Sequence, residues 1–219
     1  MPGTVTADAS IFLDDRQSAY LHAVLHADRH AAMAVAQTTL LSGDPTALYD
    51  SIIEPVMREI GRLWKNNCIA VAREQMAVST TQYVLAQVYS QHRSATRLRG
   101  KAVVTGIEGE FHQLGAHMAA DILDFDGWDV RFLGANVPQD DIMLAIDTHK
   151  ARLVGLSATM LFSTSKLSAL IEQIKRLFPS TRILVGGSLV VNRFIDPVEM
   201  GADAGAASSL QGREIARGW

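Results

Sequence analysis

A single cysteine, Cys68, stands among 219 residues, so no disulfide can form within the chain and packing alone must hold the fold. An excess of one charge is missing too. The 20 Lys and Arg against 23 Asp and Glu give a formal net charge of −3, with no basic cluster. That argues against nucleic acid as the main ligand, and direct sequence-specific DNA binding is not expected. No apolar run approaches the roughly 20 residues that span a bilayer. Met1 to Ser10 lacks the basic and apolar blocks of a signal peptide. These absences point to a soluble cytoplasmic protein with no membrane partner. Cys68 has no strong activating neighbour and reads as a half-buried bystander.

The chain is long enough for one large or two small domains, since at this size roughly 70% of the unfolded surface is buried. Its two parts carry different hydrophobic periods. From about Phe12 to Arg93 the pattern is helical: Tyr20, Val24 and Leu25 recur at helical spacing, and a break near Ala27-Asp28 starts a second helix running to Leu41. Ser42-Gly43-Asp44-Pro45 stops one helix and starts the next. The third carries Leu48, Ile52, Val56, Ile60, Leu63 and Trp64, with Pro55 as an expected kink; the fourth runs from about Ala70 to His92. Four helices with short connections suggest a small antiparallel bundle, placed at residues 12–94.

Ser94 to Gly100 is a polar connector, and beyond it the period changes. Strands are expected at Ala102–Gly106, Asp129–Leu133, Leu153–Ser157 and Ile183–Gly186, with a fifth at Ala204–Ala206. Helices are expected at His112–Phe125, Asp140–Lys150 and Thr164–Phe178, and a short one at Phe194–Met200. Such alternation implies α/β architecture: a flavodoxin-like, doubly wound parallel sheet over residues 100–219, because parallel strands need crossover connections.

The stretch Gly106-Ile-Glu-Gly-Glu110-Phe-His112-Gln-Leu-Gly115 follows the first of these strands, so it places a histidine at the carboxyl end of a buried strand. Ligands of open parallel sheets bind at that edge. Glu110, two residues before His112, can accept from one ring nitrogen and leave the other for a metal or ligand. Gly115 has no Cβ and lets a ligand approach the backbone. Three further pieces stand at strand ends: Leu133-Gly-Ala-Asn-Val137-Pro138, Ser157-Ala-Thr159 and Gly186-Gly187. A nucleotide-binding Gly-x-Gly-x-x-Gly reading of Gly106, Gly109 and Gly115 fails on spacing.

Glu110-x-His112-x-x-Gly115, with those pieces in order, resembles the Asp-x-His-x-x-Gly signature of the cobalamin-binding domain family, with Glu110 replacing the aspartate. The resemblance implies that His112 coordinates cobalt from below and displaces the cofactor's own base. It also implies that Ser157, Thr159, Gly186 and Gly187 line a groove for the nucleotide tail, with Val137 beside it. Trp64, nine intervening residues and Glu74-Gln75 resemble the Trp-x9-Glu-His motif of cobalamin-dependent photoreceptor and antirepressor regulators, whose helical domain caps the upper face. That implies adenosylcobalamin first, then methyl- or hydroxocobalamin.

On this basis the expected function is a light-responsive regulatory sensor rather than an enzyme. Its output would run through a partner protein such as a transcription regulator, or through a further domain. A homo-oligomer is compatible with it. Gln75 departs from the motif, since an amide is a poorer cobalt ligand than imidazole. The alternative is a corrinoid methyl carrier of a methyltransferase system, which resembles the same two-part arrangement but needs an open upper face. The cobalamin-binding subunit of an isomerase is a third reading, disfavoured because no substrate barrel is present. His22, His26 and His30 read as a solvated helix face, and His92, His117 and His149 as surface residues.

Overall fold

The computed structural model describes residues 13–41, 43–92 and 96–219. The signal-peptide reading of Met1 to Ser10, the ends of the expected bundle at residues 12 and 94, and Ser42 lie outside them.

The helical part comprises α1 (Asp15–Leu25), α2 (Arg29–Leu40), α3 (Pro45–Leu48), a π turn (Tyr49–Ile53), α4 (Glu54–Lys65) and α5 (Val71–His92). Asp14 and Gln17 form a reciprocal capping box at the start of α1. Asp44 caps α3, and Pro45 follows in its first turn. The kink expected at Pro55 takes the form of the π turn that precedes it. Proline cannot donate to the carbonyl four residues back, which here belongs to Ser51. The side-chain amide of Gln17 on α1 donates to that carbonyl instead, at 2.8 Å.

After the connector come β1 (Gly100–Gly106), α6 (Leu114–Phe125), β2 (Trp128–Phe132), α7 (Gln139–His149), β3 (Leu153–Ser157), α8 (Thr164–Leu177), β4 (Arg182–Gly186), α9 (Ser188–Val191), β5 (Ala204–Gly205) and α10 (Ser209–Arg217). The strands form one parallel sheet in the order β2-β1-β3-β4-β5. This is the doubly wound, flavodoxin-like order, in which the chain reverses direction across the sheet between β1 and β3.

Two expectations are corrected. Phe194–Met200 is a run of turns, with the short helix at Ser188–Val191 instead. Arg193 sits at φ 55°, which stops a helix, and the Asp196 carboxylate accepts from Val198 N, closing a turn around Pro197. The terminal helix α10 was not expected, although Ser208-x-x-Gln211 is a capping pattern. Ser208 Oγ accepts from Gln211 N, and Gln211 Oε1 accepts from Ala207 N.

The helical part packs on the sheet part through α6. Leu114, Met118 and Ile122 of α6 belong to the same apolar core as Tyr20, Leu48, Ile52, Val56 and Leu85. The other side of α6 shares a core with β1 and α10 through Ala102, Val104, Ala116, Ala120 and Ala216. The opposite face of the sheet is covered by α7 and α8. Between the helical part and α6 lies a buried polar contact, where the Tyr49 hydroxyl donates to Asp121 at 2.8 Å. The π turn carries Tyr49 and so sets this contact.

Burial pushes the Asp121 carboxyl up to about 7, with Tyr49 opposing and the nearby Asp124 charge adding to the rise. His117 Nε2 stands 3.8 Å away. A carboxyl whose folded-state pKa is raised holds its proton longer in the folded chain than in the unfolded one, so its contribution to stability falls as pH rises from about 4 to about 7. Asp121→Asn keeps an acceptor for Tyr49 and removes the charge. Urea denaturation should show this variant gaining on the parent across that window, by on the order of a few kcal/mol at pH 8. Parallel pH profiles for the two proteins would contradict it.

Candidate functional site

The switch point between β1 and β3 fixes where a ligand can sit. Gly106, the last residue of β1, is in register with Ser157, the last of β3, and Ser157 is in register with Gly186, the last of β4. Three expected groups of residues therefore leave the sheet side by side at its carboxyl edge. A fourth loop secures the first. Gly106 N donates to Gly134 O at 2.8 Å, and Val137 bridges to Ile107 as a half-buried member of the core. Asn136, at φ 54°, accepts from Gly109 N through its side chain and donates its own N–H to Glu110 O. Asn136 was not among the expected site residues, although asparagine is one of the few residues that take this conformation readily.

Glu110 is fully buried, and its carboxylate accepts four bonds. One oxygen takes the His112 ring Nδ1 at 2.5 Å and His112 N at 3.1 Å. The other takes Thr159 N at 2.6 Å and Met160 N at 3.1 Å. Burial alone would raise this carboxyl, but the His112 bonds and the Thr159 N–H hold it below the usual range. An ionised carboxylate only accepts, so Nδ1 carries the hydrogen. In the neutral ring Nε2 then keeps its lone pair. The Glu110 bond raises the His112 pKa, burial opposes that, and the side chain remains 46% exposed. A rigid, electron-rich imidazole is thus presented at the sheet edge.

Ser157 is buried and Thr159 half-buried, and neither hydroxyl is engaged by another described residue. Gly115 is exposed, and a Cβ there would meet nothing within 4 Å, so open space lies beside His112 in sequence. Gly187 has a use internal to the chain. At φ 99° it packs so tightly on the next loop that a Cβ would stand 2.4 Å from Ala158 O. Gly186 has more room, its nearest contact being Ala206 O at 3.6 Å.

The helical part reaches this edge through the end of α4 and the start of α5. Glu74 and Lys65 both act electrostatically on His112, Glu74 raising and Lys65 lowering its pKa. Trp64 precedes Lys65, is half-buried, and belongs to no apolar core. Gln75 is exposed and lines a separate stretch of groove, of about 500 Å³, with Ala27, Arg29, Ala72 and Met76.

Four side chains depart from expectation, His92 among them, since it is half-buried with its Nδ1 against Val88 O at 3.0 Å. Cys68 is exposed rather than half-buried, because it lies in the α4–α5 turn outside both helices. His149 is buried, its Nε2 bonded to Asp129 O of β2 at 2.8 Å. His117 is half-buried, stacked on Phe132 at 5.0 Å between ring centroids. His22 and His26 are neighbours, with ring centroids 4.2 Å apart. Among the described residues no three metal-ligating side chains converge.

One histidine cannot hold a first-row metal by itself, so a metal at His112 must bring most of its own ligands. A corrin would do so, since its ring brings four nitrogen ligands of its own and His112 would add one more. The free Nε2, the open surface at Gly115 and the unengaged hydroxyls fit such a group.

Residues 100–208 match a family model described as B12 binding domain, and residues 17–89 match a second model so described. The chain is 26% identical over 187 residues to trimethylamine corrinoid protein 1 of Methanosarcina acetivorans, covering 83% of this chain and 86% of that protein. The structure of the Methanosarcina barkeri monomethylamine corrinoid protein superposes with a TM-score of 0.76 at 20% identity, over 90% of this chain and 94% of that one. The methanol:cobalamin methyltransferase complex of the same organism contains a chain matching at a TM-score of 0.51 and 17% identity, over 95% of this chain and 81% of that one. These relatives overturn the expectation of a light-responsive regulatory sensor. Two of them are methylamine corrinoid proteins and the third is a methanol:cobalamin methyltransferase complex, so a transcription regulator as partner loses its support with the sensor.

The two glycines should behave oppositely. Gly187→Ala must resolve both a positive φ and the contact with Ala158, and is expected to cost about 3 kcal/mol or more in urea denaturation. Gly115→Ala, within α6 and facing open space, should change stability by no more than about 1 kcal/mol, in the stabilising direction. Equal effects of the two substitutions would contradict these assignments.

Proposed function

Because the chain belongs to the B12-binding domain family over both of its matched segments, we propose that it is a corrinoid methyl-carrier protein of a methyltransferase system. The observation that carries the corrinoid site is the buried Glu110 holding Nδ1 of His112, so that the ring's other nitrogen faces the carboxyl edge of the sheet. A bound corrinoid supplies a cobalt centre that can accept and give up a methyl group. The segment from residue 100 is the corrinoid-binding part on this reading, and the helical segment is its cap. His112 is the lower ligand, and the Ser157 and Thr159 hydroxyls and the Gly186-Gly187 turn face the nucleotide tail.

Two features of the cap favour a carrier. The start of α5 is surface rather than core, with Val71 55% and Met76 43% exposed, which leaves a face on which a methyltransferase can dock. Gln75 offers only an amide in place of the second imidazole of the light-sensor motif, so position 75 does not supply a strong protein ligand to the upper side. The carrier does not itself catalyse the transfer; its partners are the methyltransferases that load and unload it. The relatives are named for methylamine substrates, and one structural neighbour is a methanol:cobalamin methyltransferase complex. Methylcobalamin is therefore the working form.

The test is a transfer assay. Protein loaded with methylcobalamin carrying a labelled methyl group should pass it to a thiol acceptor when a methyltransferase of a methylamine corrinoid system is added, and keep it otherwise. His112→Ala should shift the visible spectrum of bound hydroxocobalamin away from the imidazole-coordinated form and lower transfer by at least about tenfold. A chain indifferent to cobalamin, or a spectrum unchanged in His112→Ala, would contradict the proposal.

A further inference from the structure

Among the described residues α5 is the longest helix, and one of its faces is open along most of its length. Ala72, Gln75, Met76, Ser79, Tyr83 and Ala86 recur on that face at three- and four-residue spacing, and all are exposed. An open helix face is ordinarily wetted by charge. α7 exposes Asp140, Asp141 and Asp147, and α8 exposes Lys166, Glu172 and Arg176. On α5 no Asp, Glu, Lys or Arg occurs from Gln75 to His92, although such residues make up 20% of the chain. The helix beside it, α2, exposes Ala31, Ala34, Gln37 and Thr38, which are equally uncharged.

The face has relief as well. Tyr83 stands out from it, 39% exposed, with the Arg29 guanidinium 5.3 Å from its ring centroid. Nearer the start of α5 lies the groove of about 500 Å³, where Ala72, Met76 and Ser79 form the α5 side. A projection and a recess on one face suit a two-fold pairing, in which each copy supplies both.

We propose that this face pairs with the same face of a second copy of the chain, the two α5 helices lying antiparallel about a two-fold axis at Ser79. Residues equally far from Ser79 then meet across the axis. Tyr83 of one copy comes against Gln75 beside Met76, at the groove of the other, and Ala86 comes against Ala72. Thioether sulfur against an aromatic ring is a favourable contact, and small residues let two helices approach. The missing charge selects this occupant. A face that meets itself sets any charge it carries near the same charge on its copy, whereas a partner of different sequence allows complementary charges, and this face offers none. A face about 33 Å long, widened by α2, buries on the order of 1,000 Å² in all, at the low end for specific interfaces, so the pairing is weak and reversible. It goes beyond the corrinoid reading and does not depend on it. Met76 also belongs to the face open to a methyltransferase, so pairing and docking there exclude one another.

Sedimentation velocity of the full chain, without cobalamin, tests the pairing. From about 5 to about 500 µM the average mass should rise reversibly from that of one chain toward that of two. With no charge pairs in the contact, salt from about 50 to about 500 mM should change the dissociation constant by no more than about twofold. Ser79→Lys sets two ammonium groups across the axis and should weaken pairing at least about tenfold, with the circular dichroism and urea midpoint of the parent. A cross-link reads the geometry separately, whatever the fate of the lysine variant. In a Cys68→Ser background, Ser79→Cys should form a disulfide between copies under mild oxidation. Ala86→Cys should not, because its two copies lie roughly 20 Å apart along antiparallel helices.

A chain that stays single at about 500 µM would overturn the proposal. So would a dimer indifferent to Ser79→Lys, or one cross-linked equally by both cysteine variants. A monomeric parent whose methyl transfer falls in Ser79→Lys would also overturn it, assigning the face to the methyltransferase instead.

Discussion

A carboxylate removed from water has to be given donors, and the site is arranged around how that need is met at Glu110. Its four donors come from its own loop and from the loop after β3, while Asn136 of a third loop holds its backbone. Those loops are adjacent only because the sheet order brings β1 between β2 and β3, so the pair depends on topology as much as on sequence. With the charge fixed, the tautomer of His112 follows, and the face it turns outward is the one a metal can use.

The helical part is joined to this centre by more than the connector. α6, which begins two residues after His112, has one side in the apolar core of the helices and the other against the sheet. Further contacts run from α10 back to the helices. Arg58 donates to Ala207 O, and Arg213 donates to Thr46. The α4–α5 end is thereby held over the carboxyl edge, close enough for Glu74 and Lys65 to act on His112.

Much of this was legible in the sequence, because period and punctuation report backbone state directly. The alternation of strand and helix gave the five strands and the helices between β1 and β4, and the strand Leu153–Ser157 coincides with its expected bounds, while α10 went unread. Pro55 signalled irregularity, but not that Gln17 would take the carbonyl it leaves free, since that partner lies 34 residues away. The Phe194–Met200 helix was misread because turn-forming Asp196-Pro197 and the left-handed Arg193 outweigh the apolar spacing of that segment. His149 was misread for a different reason: its partner, Asp129 O of β2, lies 20 residues away and leaves no local signal. The contact of Glu110 with the loop after β3 could not be read from spacing, because its donors there are backbone amides, which carry no residue signature. The light-sensor expectation came from one short motif already lacking its histidine at Gln75. Similarity to methylamine corrinoid proteins over most of the chain outweighs it.

The most direct measurement of the central claim is electron paramagnetic resonance of the protein loaded with cobalt(II) corrinoid, prepared with natural-abundance and with 15N-labelled histidine. If the imidazole of His112 is the lower ligand, the nitrogen splitting should change from a triplet to a doublet on labelling, and that change should be absent in His112→Ala. A splitting indifferent to histidine labelling would show that the ring held by Glu110 does not reach the metal.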